Sequence, residues 1–381
     1  MEIHLSLPAA IPKSDAPLPM KTRTSFALCS LVLALSATAG FAKIEEWRDI
    51  QDHSFRGEPE ESLGPIALFR SDKTGAAVMV PFHLLSPEDC VRFHDQSKHK
   101  PARAENWKDA KSPVSIDMLR YTVKVSGSNL VPPQFDGRRE PQFYAVLYSS
   151  PSELRASDVI DAVLPIYPQL MQAFPDEVEV LFRGVGQDPG EHRRIATSKA
   201  MPWLVSKSNE QEKWKAVRLA APRETPGVVV FHRGGAVLYY VDGTEVNEIA
   251  RPIKQLAVLL ETIRPDNPKG WKDRAHYLRS IQPTIHAQGR SDPVLVGNPL
   301  QAEGLRQRKI YRVEATLSVD ADGKVTAVDL NPDEANLPSA MSGPIATALK
   351  RSAVFVAAVE NGKFVAGSYH YLLEIPRESN K

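Results

Sequence analysis

The stretch Phe143-Tyr144-Ala145-Val146-Leu147-Tyr148 is a continuous apolar run near the middle of the chain. Such a run predicts a β-strand that is buried on both faces, as in a parallel or mixed sheet. Apolar residues then recur at helical spacing over residues 159–174, where Pro165 and Pro168 predict a kink or a late start of the helix. Residues 178–182 predict a second buried strand.

The chain continues with the pattern of a hairpin and a final helix. Residues 228–231 and 236–241 are apolar and flank Arg233-Gly234-Gly235, which predicts two strands joined by a tight turn. One helical stripe follows, formed by Ile249, Ile253, Leu256, Leu260 and Ile263. The order β-α-β-α-β-β-α predicts an α/β fold in which a mixed sheet carries helices on both faces.

Two short strings connect this order to a known family. Thr225-Pro226-Gly227 precedes a buried strand, and Ala200-Met201-Pro202-Trp203 lies upstream of it. Residues 110–265 resemble the tryparedoxin and nucleoredoxin branch of the thioredoxin-like family, in which Pro226 would be a cis-proline. The resemblance implies a groove that binds extended peptide. Its candidate contact residues are Ser149, Ser150, Ser152, Trp203, Thr225 and Pro226.

The sequence lacks the groups needed for the redox chemistry of that family. Thiol–disulfide exchange needs a thiolate at the start of the first helix and a second thiol one turn later. The corresponding junction is Ser149-Ser150-Pro151-Ser152-Glu153, and no cysteine follows Cys90. No activating base is evident for a serine nucleophile, and Glu153 is interpreted as a helix-start charge. We therefore predict no catalytic residue.

Three histidines and one cysteine invite a functional interpretation. His232 would be a proton shuttle in an enzyme, but we favour a strand-end imidazole that is half in solvent. Cys90 and His94 lie four residues apart on one face of a predicted helix, with His99 nearby. Because tetrahedral zinc needs three or four ligands, we expect Cys90 to be buried as a small apolar side chain. We predict neither a metal nor a cofactor.

The composition is that of a globular protein and limits the partners. The 381 residues include 47 Lys and Arg against 46 Asp and Glu, which gives a formal net charge of +1. A chain of that length predicts two or three domains. Near-neutrality argues against a nucleic acid or an anionic membrane surface as the partner. Two cysteines exclude a disulfide framework.

The N-terminus predicts export. Residues 26–39 form an apolar run that is shorter than the ~20 residues of a membrane-spanning helix. Basic residues precede it and small residues follow it, as in a secretory signal peptide with cleavage after Ala39 or Ala42. We expect residues 1–42 to be leader and signal peptide, and the mature chain to be periplasmic or secreted without a membrane span. An uncleaved anchor is the alternative.

Residues 43–97 predict a small strand-rich domain. Short apolar runs at 66–69 and 76–80 flank the turn Lys73-Thr74-Gly75. Ser86-Pro87 predicts the start of a helix, with Ser as N-cap and Pro in the first helical position. The segment resembles the SH3-like barrel of the Sla homology family, which implies an adaptor-type binding domain.

Residues 292–381 predict a third domain, of α+β type. Apolar and polar residues alternate over 311–319, as in a half-buried strand, and a turn at 320–324 leads into a strand at 325–330. A short helix is predicted after Pro344, and a final strand is predicted over 367–375.

The pattern of this third segment resembles the TonB C-terminal domain family. The string at 317–325 and the turn Glu360-Asn361-Gly362-Lys363 before the last strand carry the resemblance. In that family, an extended segment of a partner joins the sheet by strand addition. The resemblance implies Tyr369 and Tyr371, on the last strand, as candidate contact residues.

These three modules predict binding without catalysis. We interpret the chain as an exported, non-enzymatic binding or scaffolding protein of the bacterial periplasm, with a protein or peptide partner. The alternative is a TonB-like energy-coupling component of outer-membrane transport, which requires residues 26–39 to be retained as an anchor. The sequence leaves open the partner, the domain arrangement, the oligomeric state and the true start, Met1 or Met20.

Overall fold

The computed structural model of the chain describes residues 45–51, 53–150, 156–186, 188–207, 213–217, 221–222, 224–243, 248–331 and 337–376. The predicted leader with its apolar run lies outside these residues, as do Ser152 and Glu153 of the predicted groove. Within the described stretches, no helix is both long and apolar enough to cross a membrane.

The first sheet is an antiparallel meander of four strands, β1 (Glu45–Arg48), β2 (Ser54–Leu63), β3 (Ile66–Ser71) and β4 (Ala77–Pro81). β3 and β4 confirm the two strands predicted in this segment. The closed barrel expected from the resemblance is not formed by the described residues, because β1 and β4 do not pair with each other. The chain entering β4 instead meets a neighbouring sheet, where Ala76 bridges Val237.

Helix α1 (Pro87–Ser97) packs on this sheet, and its start confirms the sequence prediction. The Ser86 hydroxyl accepts a hydrogen bond from the Asp89 amide at 3.1 Å, which satisfies one free N–H group of the first turn. Cys90 and Phe93 are fully buried in the apolar cluster between helix and sheet. The burial of Cys90 agrees with the expectation from sequence.

A helix that the sequence analysis did not predict completes this apolar cluster. Helix α7 (Trp271–Ile285) packs against α1 and buries Tyr277 and Ile281 in the cluster. The Tyr277 ring stacks on Phe82, with 4.0 Å between centroids and 19° between planes. The first sheet therefore takes part of its core from a distant segment of the chain.

Seven strands form a second sheet. They are β5 (Thr122–Ser126), β6 (Asn129–Val131), β7 (Phe143–Ser149), β8 (Val178–Gly184), β9 (Leu204–Ser206), β10 (Gly227–His232) and β11 (Val237–Val241). Their order is β11-β10-β7-β8-β9-β5-β6. β8 runs parallel to both β7 and β9, whereas β10 is antiparallel to both β7 and β11.

Helices cover both faces of this sheet, as predicted. They are α2 (Pro113–Tyr121), α3 (Ala156–Val163), α4 (Tyr167–Ala173), α5 (Pro189–Ser198) and α6 (Arg251–Ile263). The helical pattern predicted over 159–174 is split into α3 and α4, since the two prolines interrupt the backbone hydrogen bonds there. Every residue of β7 is buried, and alternate residues enter apolar clusters on opposite faces of the sheet.

The connectivity of this sheet is thioredoxin-like. β7 is followed by helices and the parallel neighbour β8, then by α5, the short strand β9 on the other side of β8, the hairpin β10–β11 and α6. Within the sheet, β7 and β10 lie between β8 and β11. The Thr225–Pro226 peptide bond directly before β10 is cis, as predicted from the resemblance.

The remaining elements form the C-terminal part. They are β12 (Arg290–Ser291), β13 (Val294–Gly297), α8 (Ala302–Gln307), β14 (Arg312–Val319), β15 (Val325–Leu330), α9 (Ser339–Ser352), β16 (Val354–Val356), β17 (Ala358–Glu360), β18 (Lys363–Val365) and β19 (Gly367–Glu374). One sheet has the order β15-β14-β19, a second has the order β12-β17-β18, and β13 pairs with β16.

The strand predictions for this part are confirmed with small shifts. β14 alternates between buried and more accessible residues, as the sequence pattern predicts, and β15 and β19 follow at the expected positions. Helix α9 begins at Ser339 rather than after Pro344, so this proline lies inside the helix. Burial of Ile345 and Leu349 in the C-terminal core stabilises the helix although the proline provides no N–H group.

Candidate functional site

The predicted peptide groove lies at the carboxyl ends of β7 and β8. Ser149 ends β7, is fully buried and is in register with Gly184 at the end of β8. On the other side of β7, Tyr148 is in register with Gly227. Pro226, which precedes Gly227, therefore lies next to Ser149 at this end of the sheet.

Two further predicted residues extend this end of the sheet. Ser150 follows Ser149, and Thr225 precedes Pro226; both are half-buried, whereas Pro226 is buried. Two adjacent strands thus bring four of the predicted contact residues together. Ser152 lies outside the described residues.

A buried histidine near Ser149 was missed by the sequence analysis. His192 of α5 is 2% exposed, and its ring stacks on Phe182 with 5.2 Å between centroids. The Gly184 amide donates a hydrogen bond to His192 Nε2 at 3.2 Å. Burial lowers the pKa of His192 to about 4, so at neutral pH the ring is uncharged and carries its proton on Nδ1.

This geometry does not make His192 a base for Ser149. The Nε2 lone pair already accepts a hydrogen bond from the Gly184 amide, so it is not available to take the proton of a hydroxyl. The local sequence, Glu191-His192-Arg193, is that of a solvent-exposed helix. No pattern in it therefore indicates the burial of His192.

Trp203 lies toward the opposite end of the sheet. Its neighbour Leu204 is in register with Leu181, which comes before Gly184 in β8. The Trp203 indole is fully buried and packs edge-on against Tyr167, with 5.3 Å between centroids. The structure therefore places Trp203 in the core and does not bring it to Pro226.

Tyr369 and Tyr371 lie on β19 with their rings toward the C-terminal core. Tyr371 is buried, its hydroxyl donates to Asn298 Oδ1 at 3.0 Å, and burial raises its pKa to about 12. Tyr369 is half-buried and packs edge-on against Phe355, with 5.1 Å between centroids. The accessible feature of this strand is its backbone edge rather than these two rings.

The pattern of backbone hydrogen bonds between β19 and β14 determines which backbone groups of β19 face the open edge. Among the described residues, β19 pairs with β14 alone. The Ile375 amide donates to the backbone oxygen of Tyr311 at 2.8 Å. In an antiparallel pair every second residue bonds to the neighbouring strand, so the backbone groups of Tyr371 and Tyr369 also bond to β14. The backbone groups of the intervening residues point to the open edge. These residues are Ser368, His370, Leu372 and Glu374.

A buried charge cluster joins the first sheet to the hairpin β10–β11, and the sequence analysis missed it. Glu61 Oε2 on β2 lies 2.8 Å from His232 Nε2 and 3.0 Å from Arg233 Nη2. The Gly234 amide donates to His232 Nδ1 at 3.2 Å, so the ring proton is on Nε2 and points to Glu61. Burial alone would raise the pKa of Glu61, but His232 and Arg233 lower it to about 2.

The burial of His232 corrects the prediction of a half-solvated strand end. Its neighbour Arg233 is also buried and donates to Ser112 Oγ and to the Pro101 oxygen, each at 2.7 Å. The covering residue Glu61 is 171 positions away from His232 in the sequence. No local pattern around His232 therefore predicts that it is covered.

A second group of charges continues this cluster along β2. Arg70 Nη2 lies 2.6 Å from Glu58, its Nε lies 3.0 Å from Glu60, and Lys100 also contacts Glu58. Burial raises the pKa of Glu60 above its usual range. Glu58 and Arg70 border a cavity of 470 Å³ between the turns β3–β4 and β10–β11. Positive and negative side chains both line it, so its charge favours no single class of ligand.

The region around Cys90 contains no metal site. Cys90 is buried, and burial raises the pKa of its thiol to about 11. The Nδ1 atom of His94 lies 3.2 Å from the Tyr277 hydroxyl. Across the part of the chain that the structure describes, no group of three or more His, Cys, Asp or Glu side chains is arranged to hold a metal ion.

Comparison with known proteins gives matches at the level of structure only. No protein-family model matches the chain. No curated protein matches it in sequence. Several solved structures match about a third of the chain, with low sequence identity and low TM-scores.

Three of these structures illustrate the range. A thioredoxin from Wuchereria bancrofti is 16% identical, with 32% of this chain and 83% of that chain covered and a TM-score of 0.24. A putative thiol:disulfide interchange protein DsbE from Chlorobium tepidum is 13% identical, with 31% and 80% covered and a TM-score of 0.25. A secreted Mycobacterium tuberculosis disulfide oxidoreductase, homologous to E. coli DsbE, is 15% identical, with 36% and 98% covered and a TM-score of 0.25.

Proposed function

We propose that this chain is an exported, non-enzymatic protein that binds an extended segment of a partner protein along the open edge of β19. The observation that supports this proposal is the hydrogen-bonding pattern between β14 and β19, in which the backbone groups of His370 and Leu372 point away from β14. A partner strand that pairs with this edge satisfies those groups and continues the sheet. The resemblance of residues 292–381 to TonB C-terminal domains suggests the same mode of binding.

Side chains beside the edge would contribute selectivity. Leu372 is 48% exposed, an unusual exposure for a large apolar residue in a strand. It lies between His370 and Glu374 on the outer face of the sheet. In cross-strand pairing, residues that face each other interact directly. We therefore expect the partner segment to place an apolar side chain opposite Leu372.

The state of the cysteines supports a role without catalysis. No cysteine follows Cys90 in the sequence, so the thioredoxin-like sheet supplies no thiol at the end of β7. Cys90 itself is buried on α1, and its raised pKa leaves almost no thiolate at neutral pH. Thiol–disulfide exchange needs a reactive thiolate and a second thiol, and these positions provide neither.

The test uses two substitutions at one position of β19. His370→Pro removes an outward N–H group without removing a ladder hydrogen bond, because this N–H does not bond to β14. His370→Ala keeps that N–H and removes only the side chain. In crosslinked pull-downs from the native cell envelope, the proline variant should lose the partner and the alanine variant should retain it. Equal recovery by both variants would contradict strand addition at this edge.

We propose the end of the sheet at Ser149 and Pro226 as a second binding surface. The supporting observation is that Ser150 and Thr225, both half-buried, lie on neighbouring segments there. Ser150→Trp should obstruct that surface while leaving β19 unchanged. A partner that is lost with Ser150→Trp and retained with His370→Pro would bind at this end of the thioredoxin-like sheet instead.

The energy-coupling alternative depends on the N-terminus. It requires residues 26–39 to remain as a membrane anchor, and these residues lie outside those that the structure describes. N-terminal sequencing of the protein purified from its native envelope separates the two proposals. A start near Lys43 supports an exported binding protein, whereas a start that retains the apolar run supports the anchored component.

A further inference from the structure

A cavity of 300 Å³ lies where the β2–β3 turn meets the end of α6 and the start of α7. Its charged lining consists of four arginines and one carboxylate. These are Arg103, Arg139, Arg264, Arg274 and Glu177. Since the chain as a whole is almost neutral, this excess of positive charge is local to the cavity.

Only one of the four guanidinium groups is neutralised by a carboxylate of the lining. Arg103 forms a bidentate pair with Glu177, at 2.9 and 3.0 Å, and also donates to the oxygens of Glu140 and Asp176. These bonds fix its position as part of the wall. The remaining three arginines therefore determine the charge that the cavity presents to a ligand.

Among the described residues, Arg274 forms no direct ion pair with a carboxylate, and Asp266 acts on its charge from a longer distance. Its guanidinium donates to the backbone oxygens of Ile263 and Pro265, at 2.6 Å each, and to that of Arg264. These oxygens belong to the last residue of α6 and to the two residues after it, so Arg274 caps the negative end of that helix. Gly64 has a φ of +57° and lies so close that a Cβ atom there would be 2.7 Å from the Ile263 oxygen. The turn thus holds Arg274 in a fixed place.

Within the described part of the chain, Arg139 and Arg264 form their ion pairs with exposed acids. Arg139 lies 3.1 Å from Glu105, whose side chain is 83% exposed, and Arg264 pairs with Asp266 and Glu261 at the surface. Exposed ion pairs of this kind contribute little to stability and are screened by salt. An anion that enters the cavity can therefore recruit both arginines at little cost.

The other side of the cavity is apolar and limits the size of a ligand. Leu63, Phe174, Leu260 and Ile263 supply this wall. A volume of 300 Å³ holds about ten non-hydrogen atoms, if each takes about the 30 Å³ of a water molecule in the liquid. A ligand that fills the cavity has an anionic head and a short hydrocarbon part.

We propose that this cavity binds a small amphipathic anion, a carboxylate or phosphate head held by Arg139, Arg264 and Arg274 with its apolar part against Leu63 and Phe174. Planar guanidinium groups bind both kinds of head through paired N–H donors. The site is separate from the edge of β19, so the inference does not depend on the proposed partner.

Isothermal titration of the mature chain with three probes tests the chemistry. Octanoate combines an anionic head with a tail of the right size, 1-octanol has the tail without the charge, and inorganic phosphate has a charge without the tail. We expect octanoate to bind, 1-octanol to bind at least tenfold more weakly, and added salt to weaken octanoate binding. Absence of octanoate binding, or equal binding of octanoate and 1-octanol, overturns the proposal. Phosphate binding as tight as octanoate binding overturns the part of the proposal that places an apolar group of the ligand against Leu63 and Phe174.

Two variants at one ion pair locate the site. Arg139→Gln should weaken octanoate binding about tenfold, because it removes a charge-assisted hydrogen bond. Glu105→Gln breaks the same surface pair and keeps the arginine, so it should bind octanoate as tightly as the unchanged chain or more tightly. Unfolding midpoints without ligand establish that both variants remain folded. If both variants lose binding equally, or if neither loses it, octanoate binds elsewhere and the assignment of the site is overturned.

Discussion

Glu61 Oε2 lies 2.8 Å from His232 Nε2, and this contact connects β2 of the first sheet to the hairpin of the thioredoxin-like sheet. Arg233 adds a second contact to the same oxygen at 3.0 Å. His232 and Arg233 are both buried, so their polar groups depend on Glu61 for hydrogen bonds that water does not supply. The relationship makes the two sheets mutually dependent.

Neutralising Glu61 should weaken the whole described fold. In Glu61→Gln, the buried Arg233 guanidinium loses the carboxylate that it hydrogen-bonds and keeps only the buried Glu140, whose Oε2 lies 3.8 Å from Arg233 Nη1. Removal of one partner from a buried pair is more costly than the pair is worth. We expect the free energy of unfolding to fall by about 2–4 kcal/mol. Urea unfolding followed by tryptophan fluorescence and by circular dichroism measures the change.

The matched control for this change is Glu46→Gln. Glu46 lies 3.9 Å from Arg48 with both side chains exposed, so its loss should leave the free energy of unfolding nearly unchanged. A Glu61→Gln variant as stable as the Glu46→Gln variant would show that the cluster does not connect the two sheets.

His192 should make stability fall in mildly acidic solution. Its pKa is lowered from 6.5 to about 4 in the folded chain, because burial disfavours the charged ring. The unfolded chain therefore binds a proton at a higher pH than the folded chain. Stability is therefore unaffected by protonation of His192 above pH 6.5. As the pH falls from 6.5 toward 4, the free energy of unfolding decreases by up to about 3 kcal/mol.

The variant that isolates this effect is His192→Gln. Glutamine keeps an acceptor for the Gly184 amide but does not titrate. Urea unfolding from pH 7 to 4.5 should show a smaller loss of stability in the variant than in the unchanged chain. Parallel pH profiles would mean that His192 titrates normally in the folded state.

Tyr277 should contribute to the stability of the first sheet, although it lies on α7. Tyr277→Ala removes a ring that stacks on Phe82 within the apolar cluster, and it should cost about 3–5 kcal/mol. Tyr277→Phe keeps the ring and loses only the contact of the hydroxyl with His94, so it should cost about 1 kcal/mol. Thermal unfolding of the two variants measures the difference; equal midpoints would contradict the role of the ring.

The same packing bears on the proposed domain boundaries. We expect residues 43–97 alone to lack a cooperative unfolding transition, since their apolar cluster is incomplete without Tyr277 and Ile281 of α7. Circular dichroism of this fragment, with and without residues 271–285 supplied as a peptide, tests the expectation. A cooperative transition of the fragment alone would make it an independent domain.

Cys90 should be unreactive in the folded protein. Cys90 is the single cysteine among the residues that the structure describes, it is buried, and its pKa is raised to about 11. Because the thiolate is the reactive species, labelling with iodoacetamide at pH 7.5 should be far slower in buffer than in denaturant. Mass spectrometry of the labelled fraction over time measures this ratio. Equal rates would show that Cys90 is exposed and would reopen thiol chemistry as a function.

The sequence by itself determined the elements whose cause is local. The apolar run at 143–148, the stripe of α6 and the alternation of β14 each predict one element, because burial imposes its period on neighbouring residues. The absence of cysteine after Cys90 likewise follows from the sequence alone. The resemblance added the connectivity of the thioredoxin-like sheet and the position of Pro226.

Only the tertiary structure decided which distant residues meet. Glu61 with His232, Tyr277 with Phe82, and the arginine-lined cavity each join segments that are far apart in the sequence. The open first sheet has the same origin, since the chain entering β4 meets β11 instead of β1. Side-chain periodicity indicates whether a residue is buried, but it does not indicate which distant residue packs against it. For that reason the core was largely predictable, whereas the charge cluster and the cavity were not.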